Sequence, residues 1–310
     1  MSEVATPDIQ KLDELQLLLK VRSGEYSAAR VGVTLVIYYA KPMRELVDIV
    51  RKLLDCYLSF IPETAIRSTL STTGVWREFT KQSLTAGLRK LAAEGADYRS
   101  IHLSSGTPAN VGEYGFHFFG SNFSRVDISP RKTCSCIMEF PVGVLDQDQK
   151  RSLEDFAAAV AEIEVFESGH GGYAFKHLSE TWRDQALSWI AQRAQRYVAL
   201  DISYDSFRRV ARGRVVNVSW ITLLGNTVVE ALDGTTRIRE KLSPEVIIRP
   251  LKTGLLLVAG DTPPVGDVNR GAQDIQWLKE VAALTKPVRA RMEIGFGSDA
   301  FRRGWLDRLD

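Results

Sequence analysis

Four histidines are the residues of this chain best suited to acid–base catalysis or metal binding at neutral pH. His170 and His177 lie seven residues apart around the stretch SGHGG, whereas His102 and His117 are isolated in the sequence. No H-x-x-x-H or H-E-x-x-H pattern and no acidic cluster frames them, so their spacing gives no metal motif. We interpret SGHGG as a tight loop whose glycines allow positive φ, and we keep a site on His170 and His177 as an alternative.

Two cysteines, Cys134 and Cys136, form a C-x-C pattern on a predicted strand. Side chains at positions i and i+2 of a strand point to the same face, so the two thiols could share a soft metal ion. No second pair of ligands stands at the usual spacing, and we therefore predict two small side chains in the core. The remaining cysteine is Cys56, and this small odd number indicates a reducing compartment rather than a disulfide framework.

The loop GDVNRG at 266–271 places Asp267, Asn269 and Arg270 just before a predicted helix. These side chains could form a polar clamp for a ligand. Turn and N-cap chemistry also explains them, with Asp267 or Asn269 accepting from free amides and Arg270 tying the loop to the body. We favour this structural role and keep an enzyme of unknown class, built on this loop or on the histidine loop, as the alternative function.

No established catalytic motif accompanies these residues. The sequence contains no G-x-S-x-G pattern, no P-loop and no kinase signature. We therefore predict no catalytic, cofactor-binding or metal-binding residue and no cofactor.

Charge is distributed unevenly along the chain. From Glu139 to Glu167 eight acidic residues face two basic ones, a net charge of −6, whereas Arg183–Arg214 carries a net charge of +4. Each run could be the solvated face of a helix. The acidic run could instead bind a basic protein partner. The arginine run could instead contact nucleic acid, although no interleaved aromatic residues suggest base stacking. The candidate interface residues are Glu154, Asp155, Glu162, Glu164 and Glu167.

Apolar periodicity predicts the elements that must hold these residues in place. An amphipathic helix is expected over 8–21, a buried strand over 31–40 and a helix over 42–60. Downstream, the predicted elements are a helix at 80–94, strands at 114–123 and 133–141, a helix at 147–164 and a short strand in YAFKH. The second part is predicted to contain a helix at 181–198, a strand at 215–224, helical pieces within 225–242, a hairpin at 246–260, a helix at 274–285 and a strand at 288–296.

The order β-α-β-β-α-β occurs twice in this prediction, with an insert at 61–112 in the first copy. One such unit gives a four-stranded antiparallel sheet with two helices on one face. The predicted fold class is therefore α+β, with two ferredoxin-like halves packed together. The predicted domains are an N-terminal helical arm at 1–30, a first half at 31–178 and a second half at 179–310.

Length and composition restrict the class of protein further. The chain has 310 residues, of which 45% are hydrophobic and 25% charged, and its net charge is +2. These values exclude a disordered chain, a collagen-like repeat and a disulfide-stapled miniprotein. They give no general attraction for nucleic acid or anionic membranes, and no apolar run is long enough for a secretory signal or a membrane span. We expect a soluble, cytoplasmic protein with no membrane or nucleic-acid partner.

Three segments carry a resemblance to a known family. They are LVIYYAKPMRELVDIVRKLLDCYLSF (35–60), VSWITLLGNTVVEALDG (218–234) and LKTGLLLVAGDTPPVGDVNRG (251–271). Together they are similar to the type VI secretion immunity proteins called TsiV-like, formerly a domain of unknown function. The two C-terminal segments are the more specific. Their motif residues are Trp220, Gly225, Asp267, Asn269 and Arg270.

The resemblance implies an immunity protein that binds and neutralises a cognate type VI effector toxin acting in the cytoplasm. Such proteins protect the producing cell and its siblings. The family brings no catalytic residue with it, so the resemblance implies a protein that is not an enzyme. The matched residues are expected to be scaffold rather than the surface that selects the toxin. Because many intracellular toxins carry basic clefts, we expect the acidic run to face the toxin.

Overall fold

A computed structural model describes residues 9–71, 74–93, 97–123, 131–145, 150–178, 181–202 and 205–310. Twelve strands in these ranges form one continuous sheet. The strands are β1 (Gln16–Val21), β2 (Gly24–Tyr39), β3 (Ser68–Leu70), β4 (Trp76–Glu78), β5 (Tyr98–Ser104), β6 (Gly115–Ser121), β7 (Cys134–Phe140), β8 (Ser168–His177), β9 (Asp201–Ile202), β10 (Ile221–Gly225), β11 (Val246–Leu251) and β12 (Gly254–Ala259). The α-helices are α1 (Ile9–Asp13), α2 (Val47–Phe60), α3 (Lys81–Ala92), α4 (Lys150–Ala161), α5 (Arg183–Ala194), α6 (Asn226–Ala231), α7 (Gly234–Lys241), α8 (Gln276–Thr285) and α9 (Asp299–Gly304).

The long strand β2 organises the sheet. The strand order is β11-β12-β10-β8-β2-β7-β6-β5-β3-β4, with β1 paired to β2 and β9 paired to β8. All these pairs are antiparallel except β8 with β9. Every residue of β2 from Val31 to Tyr39 is buried, and the strand is also paired on both edges, with β8 on one and β1 and β7 sharing the other. A continuous apolar run is typical of such a fully enclosed strand.

In the first half of the chain, the strands β8-β2-β7-β6 are neighbours, and α2 and α4 lie in the connections between them. The apolar face of α2 buries Val50, Leu53, Leu54 and Tyr57, which recur at helical spacing. The hydroxyl of Tyr57 donates to the carbonyl oxygen of Glu139 in β7 over 2.9 Å. One hydrogen bond and an apolar stripe therefore fix this helix on the sheet.

The second half does not repeat the arrangement of the first. Strands β10, β12 and β11 extend the same sheet outward from β8. The region 288–296, predicted to be a fourth strand, contributes an isolated bridge between Val215 and Arg289 instead. The edge of β10 where that strand would pair is already occupied by β8. The α+β class is confirmed, whereas the duplication of a ferredoxin-like unit is not.

Two further local predictions were wrong. The region 8–21 is not one helix: the helix α1 is followed by β1, which pairs with the start of β2 in a hairpin. The stretch SGHGG is not a loop, because it forms the first half of β8. Its glycines permit close packing: a Cβ on Gly169 would lie 2.6 Å from the carbonyl oxygen of Val36 in the neighbouring strand.

Two apolar cores are present in the described residues. The larger one includes Tyr57 and Phe140 of the first half together with Trp220 and Trp305 of the second. The smaller one is built within the second half, around residues such as Leu257. The larger core therefore crosses the predicted boundary at 178/179, as the sheet does.

Candidate functional site

Pairing of β5 with β6 brings together two histidines that are isolated in the sequence. His102 is the cross-strand partner of His117, and their Nδ1 atoms are 3.2 Å apart. The next strand, β7, places Glu139 beside them, with its Oε2 atom 3.5 Å from Nε2 of His117. Sequence spacing gave no signal for this cluster, because only the register of three strands brings these side chains together.

The three side chains line a cavity of about 420 Å³. Trp76 and Phe119 form part of its apolar lining, and the side chain of His117 is 20% exposed. The Phe119 ring lies edge-on to the His102 ring at 4.9 Å and parallel to the His117 ring at 6.5 Å. These aromatic contacts restrict the orientation of both imidazole rings.

Burial and neighbouring charges set the protonation states around the cavity. Burial, and then the neighbouring His117, lower the pKa of His102 from 6.5 to about 3, so this imidazole is neutral at physiological pH. Burial favours a raised pKa for Glu139, but His117 and Lys176 outweigh it and lower that pKa to about 2. Burial also lowers the pKa of Lys176 to about 8, with Glu139 opposing this shift. Its Nζ atom donates to the carbonyl oxygen of Gly112 over 2.9 Å.

His170 and His177 do not form a common site. Their separation of seven residues along β8 places them on opposite faces of the strand. His177 lines the cavity just described. His170 is buried, and its Nε2 atom lies 2.9 Å from Oδ2 of Asp201, which also accepts a hydrogen bond from Asn217. This arrangement ties β8 to β9 inside the protein rather than presenting a histidine to solvent.

Cys134 and Cys136 are both buried in β7. Burial raises the pKa of Cys134 to about 12, so its side chain remains a thiol. Its sulfur accepts a hydrogen bond from the backbone N–H of Ser121 over 3.3 Å. Across the described ranges, no group of three or more His, Cys, Asp and Glu side chains has the arrangement of a metal site.

The loop at 266–271 is held by internal contacts. Both carboxylate oxygens of Asp267 accept from the Arg196 guanidinium, over 2.9 and 2.8 Å, and one also accepts from the backbone N–H of Asn269. The hydrogen bond from Arg196 lowers the pKa of Asp267. Arg270 is largely exposed, with its Nε atom 3.9 Å from Asp267. The carboxylate therefore caps a turn and anchors it near the end of α5.

Of the other motif residues, Trp220 immediately precedes β10 and Gly225 is the last residue of that strand. Trp220 is buried, and its indole N–H donates to the carbonyl oxygen of Gly260 over 3.1 Å. Gly225 lies so close to its neighbour that a Cβ would stand 2.0 Å from the carbonyl oxygen of Phe166. Both residues therefore make close contacts inside the protein.

The acidic candidates fall into different environments. Asp155 and Glu162 are exposed on or just after α4, and Glu154 is half-buried. Glu164 is mostly buried and lies 2.9 Å from the ammonium group of Lys41. Glu167 is buried and accepts a 2.6 Å hydrogen bond from the backbone N–H of Gly213. Residues 146–149 of the acidic run lie outside the described residues.

Several arginines of the basic run make contacts within the protein. Arg212 donates to the carbonyl oxygen of Ala40 over 2.7 Å. The guanidinium of Arg193 lies 4.3 Å from the centre of the Trp189 ring. Arg196 is engaged by Asp267, as described above. These arginines therefore serve, in part, to join elements of the fold.

Comparison with known proteins identifies the class. A family model matches residues 51–302, and the chain belongs to a family of type VI secretion immunity proteins. The family is TsiV, described as type VI immunity for VRR-NUC. No curated protein matches the chain.

A solved structure shows the same fold. The Pseudomonas aeruginosa T6SS protein PA0821 is similar to this chain with a TM-score of 0.79, over 96% of this chain and 87% of that chain. The two sequences are 20% identical, so this likeness is one of fold. No helix within the described ranges has the length and apolar character needed to cross a membrane.

Proposed function

We propose that this protein binds and neutralises a cognate type VI effector that carries a VRR-NUC nuclease, in the cytoplasm of the cell that produces both. The observation that carries the proposal is the match of the TsiV family model over residues 51–302. The protein would act through a stable complex and would not turn over a substrate. The structural likeness to a T6SS protein supports the fold on which this proposal depends.

The proposed partner has a physical consequence for the surface that binds it. A nuclease must hold a polyanion, so the surface around its active site carries basic residues. A protein that covers this surface benefits from exposed carboxylates, which accelerate the encounter and select the partner.

The exposed carboxylates of the acidic run are the proposed contacts. Asp155 and Glu162 are accessible, and the ion pair between Asp155 and Arg249 joins two exposed side chains that can exchange partners. Glu164 and Glu167 have internal contacts, which suggests that they support this region rather than contact the effector. We therefore place the effector against the outer side of α4.

Co-expression tests the function. Bacteria that express the VRR-NUC effector from the same source are expected to lose viability, and co-expression of this protein is expected to restore it. An effector inactivated in its nuclease site serves as the control for toxicity. Continued killing at matched levels of folded protein would contradict the proposal.

A further inference from the structure

We propose that His102 and His117 form a binding site for a divalent metal ion of the borderline class, such as Zn²⁺, which their two Nδ1 atoms coordinate within the 420 Å³ cavity. This site is separate from the proposed effector surface on α4. It also replaces the expectation from sequence that the chain has no metal-binding residue.

The separation of the two nitrogens fits a shared ion. A tetrahedral Zn²⁺ with nitrogen ligands at about 2.0–2.1 Å holds any two of them about 3.3 Å apart. The two Nδ1 atoms are already 3.2 Å apart, so coordination needs only a small adjustment. In the absence of metal, the same distance allows one imidazole to donate a hydrogen bond to the other.

The protein holds both rings on rigid elements. The cross-strand neighbours of the pair are Ile101 with Phe118 and Leu103 with Phe116, and all four are buried. This packing fixes the strand register at the histidines. Sites built on strands are positioned more accurately than sites on loops.

Glu139 supplies the contact that usually accompanies a histidine ligand. When Nδ1 of His117 coordinates a metal ion, its proton resides on Nε2, and that atom faces Oε2 of Glu139 at 3.5 Å. A carboxylate in this position orients the ring and strengthens the ligand. Glu139 thus acts as a positioning residue and not as a ligand.

The cavity leaves room for the remaining coordination positions. Two protein nitrogens are fewer than the four protein ligands of closed structural zinc sites or the three of catalytic sites, so water must complete the coordination. The side chains of Ser100 and Ser104 also line the cavity and can hydrogen-bond such water molecules. We expect weaker binding than at a closed structural site, with no effect on folding of the metal-free protein.

Calorimetric titration of the chelator-treated full chain with ZnCl₂ tests the proposal. One ion per chain is expected, and the separate variants His102→Gln and His117→Gln are expected to lose this binding. Glu139→Gln should lower the affinity about tenfold through the orientation of His117. His177→Gln is the matched control, because this residue lines the same cavity and should leave the affinity unchanged.

Nitrogen NMR of the unmodified protein gives a second readout that does not depend on variants folding. Zn²⁺ is expected to shift the Nδ1 resonances of two of the four histidines and to leave the others in place. The proposal is overturned if no stoichiometric binding occurs, or if binding persists in both His102→Gln and His117→Gln. Shifts confined to His170 or His177 would overturn it as well.

Discussion

Neighbouring carboxylates of the same type have opposite roles in this protein. Glu162 is exposed, whereas Glu167, five residues later, is buried and accepts a hydrogen bond from the backbone N–H of Gly213. In a count of charges along the sequence, each of them contributes one negative charge and the two are equivalent. Only the fold shows that one is accessible to a partner and the other completes the hydrogen bonding of an internal turn.

Glu167→Ala should destabilise the protein by about 1–3 kcal/mol, because it leaves the N–H of Gly213 without its acceptor in a region of low exposure. Urea unfolding followed by circular dichroism measures the change in the free energy of unfolding. Glu162→Ala is the matched control and should change that free energy by less than about 0.5 kcal/mol. Equal effects for both variants would contradict the structural role of Glu167.

Residue chemistry was predictable from sequence only where it depended on local neighbours. The capping role of Asp267 follows from its place in a turn, and the bond to Asn269 confirms that it caps this turn. The pairing of His102 with His117 depends on the register of β5 and β6 and not on spacing. No local pattern contains that information.

At the scale of elements, the helices with a clear apolar stripe were predictable. The expected helices at 42–60, 80–94 and 274–285 correspond to α2, α3 and α8, with shifted ends. Prediction failed in β1, where the spacing of the leucines suits either a helix or a strand. It also failed in β8, where glycines interrupt the apolar pattern of the strand. In both places pairing with β2 decided the outcome.

The junction of β8, β10 and β12 provides a test of sheet packing. Gly225→Ala would place a Cβ 2.0 Å from the carbonyl oxygen of Phe166, and we expect a loss of about 1–3 kcal/mol in the free energy of unfolding. Gly304→Ala is the control, because no atom lies within 4 Å of the added Cβ and the residue is helical. It should be neutral or stabilise the protein by up to about 1 kcal/mol. Similar losses for both would show that close packing is not the cause.

The exposed face of α4 provides a test of the proposed effector surface. The double variant Asp155→Lys and Glu162→Lys should slow association with the effector roughly tenfold and reduce its dependence on salt. Stopped-flow or surface plasmon resonance measures the association rate. Glu293→Lys is the control, because it reverses one charge at another exposed position, half the change of the double variant, and it should have little effect on the association rate. An unchanged rate for the double variant would refute this placement of the effector.

At the scale of the molecule, one sheet joins the two halves that the sequence predicted as separate units. The first half pairs β8 with β10 through four residue pairs between Ser168–Gly171 and Ile221–Leu224. The residues of β10 are buried, so cutting the chain at 178/179 would expose an apolar strand edge. Topology of this kind was not predictable, because the repeated order of elements does not specify which strands are neighbours.

The intact chain should therefore unfold in one cooperative transition, and the fragment 179–310 should show none by itself. Thermal unfolding monitored by circular dichroism and calorimetry makes the comparison. Agreement between calorimetric and van't Hoff enthalpies is expected for the intact chain. A native-like cooperative transition in the fragment would show instead that the second half is an independent domain.

The central claim is that this protein inactivates a type VI nuclease by binding it. The most direct measurement is a titration of the purified protein into a DNA-cleavage assay of its VRR-NUC effector. The effector concentration is set far above the dissociation constant of the complex. Our account predicts that cleavage falls linearly and is abolished at one equivalent of the protein. Undiminished cleavage in the presence of an excess of the folded protein would contradict it.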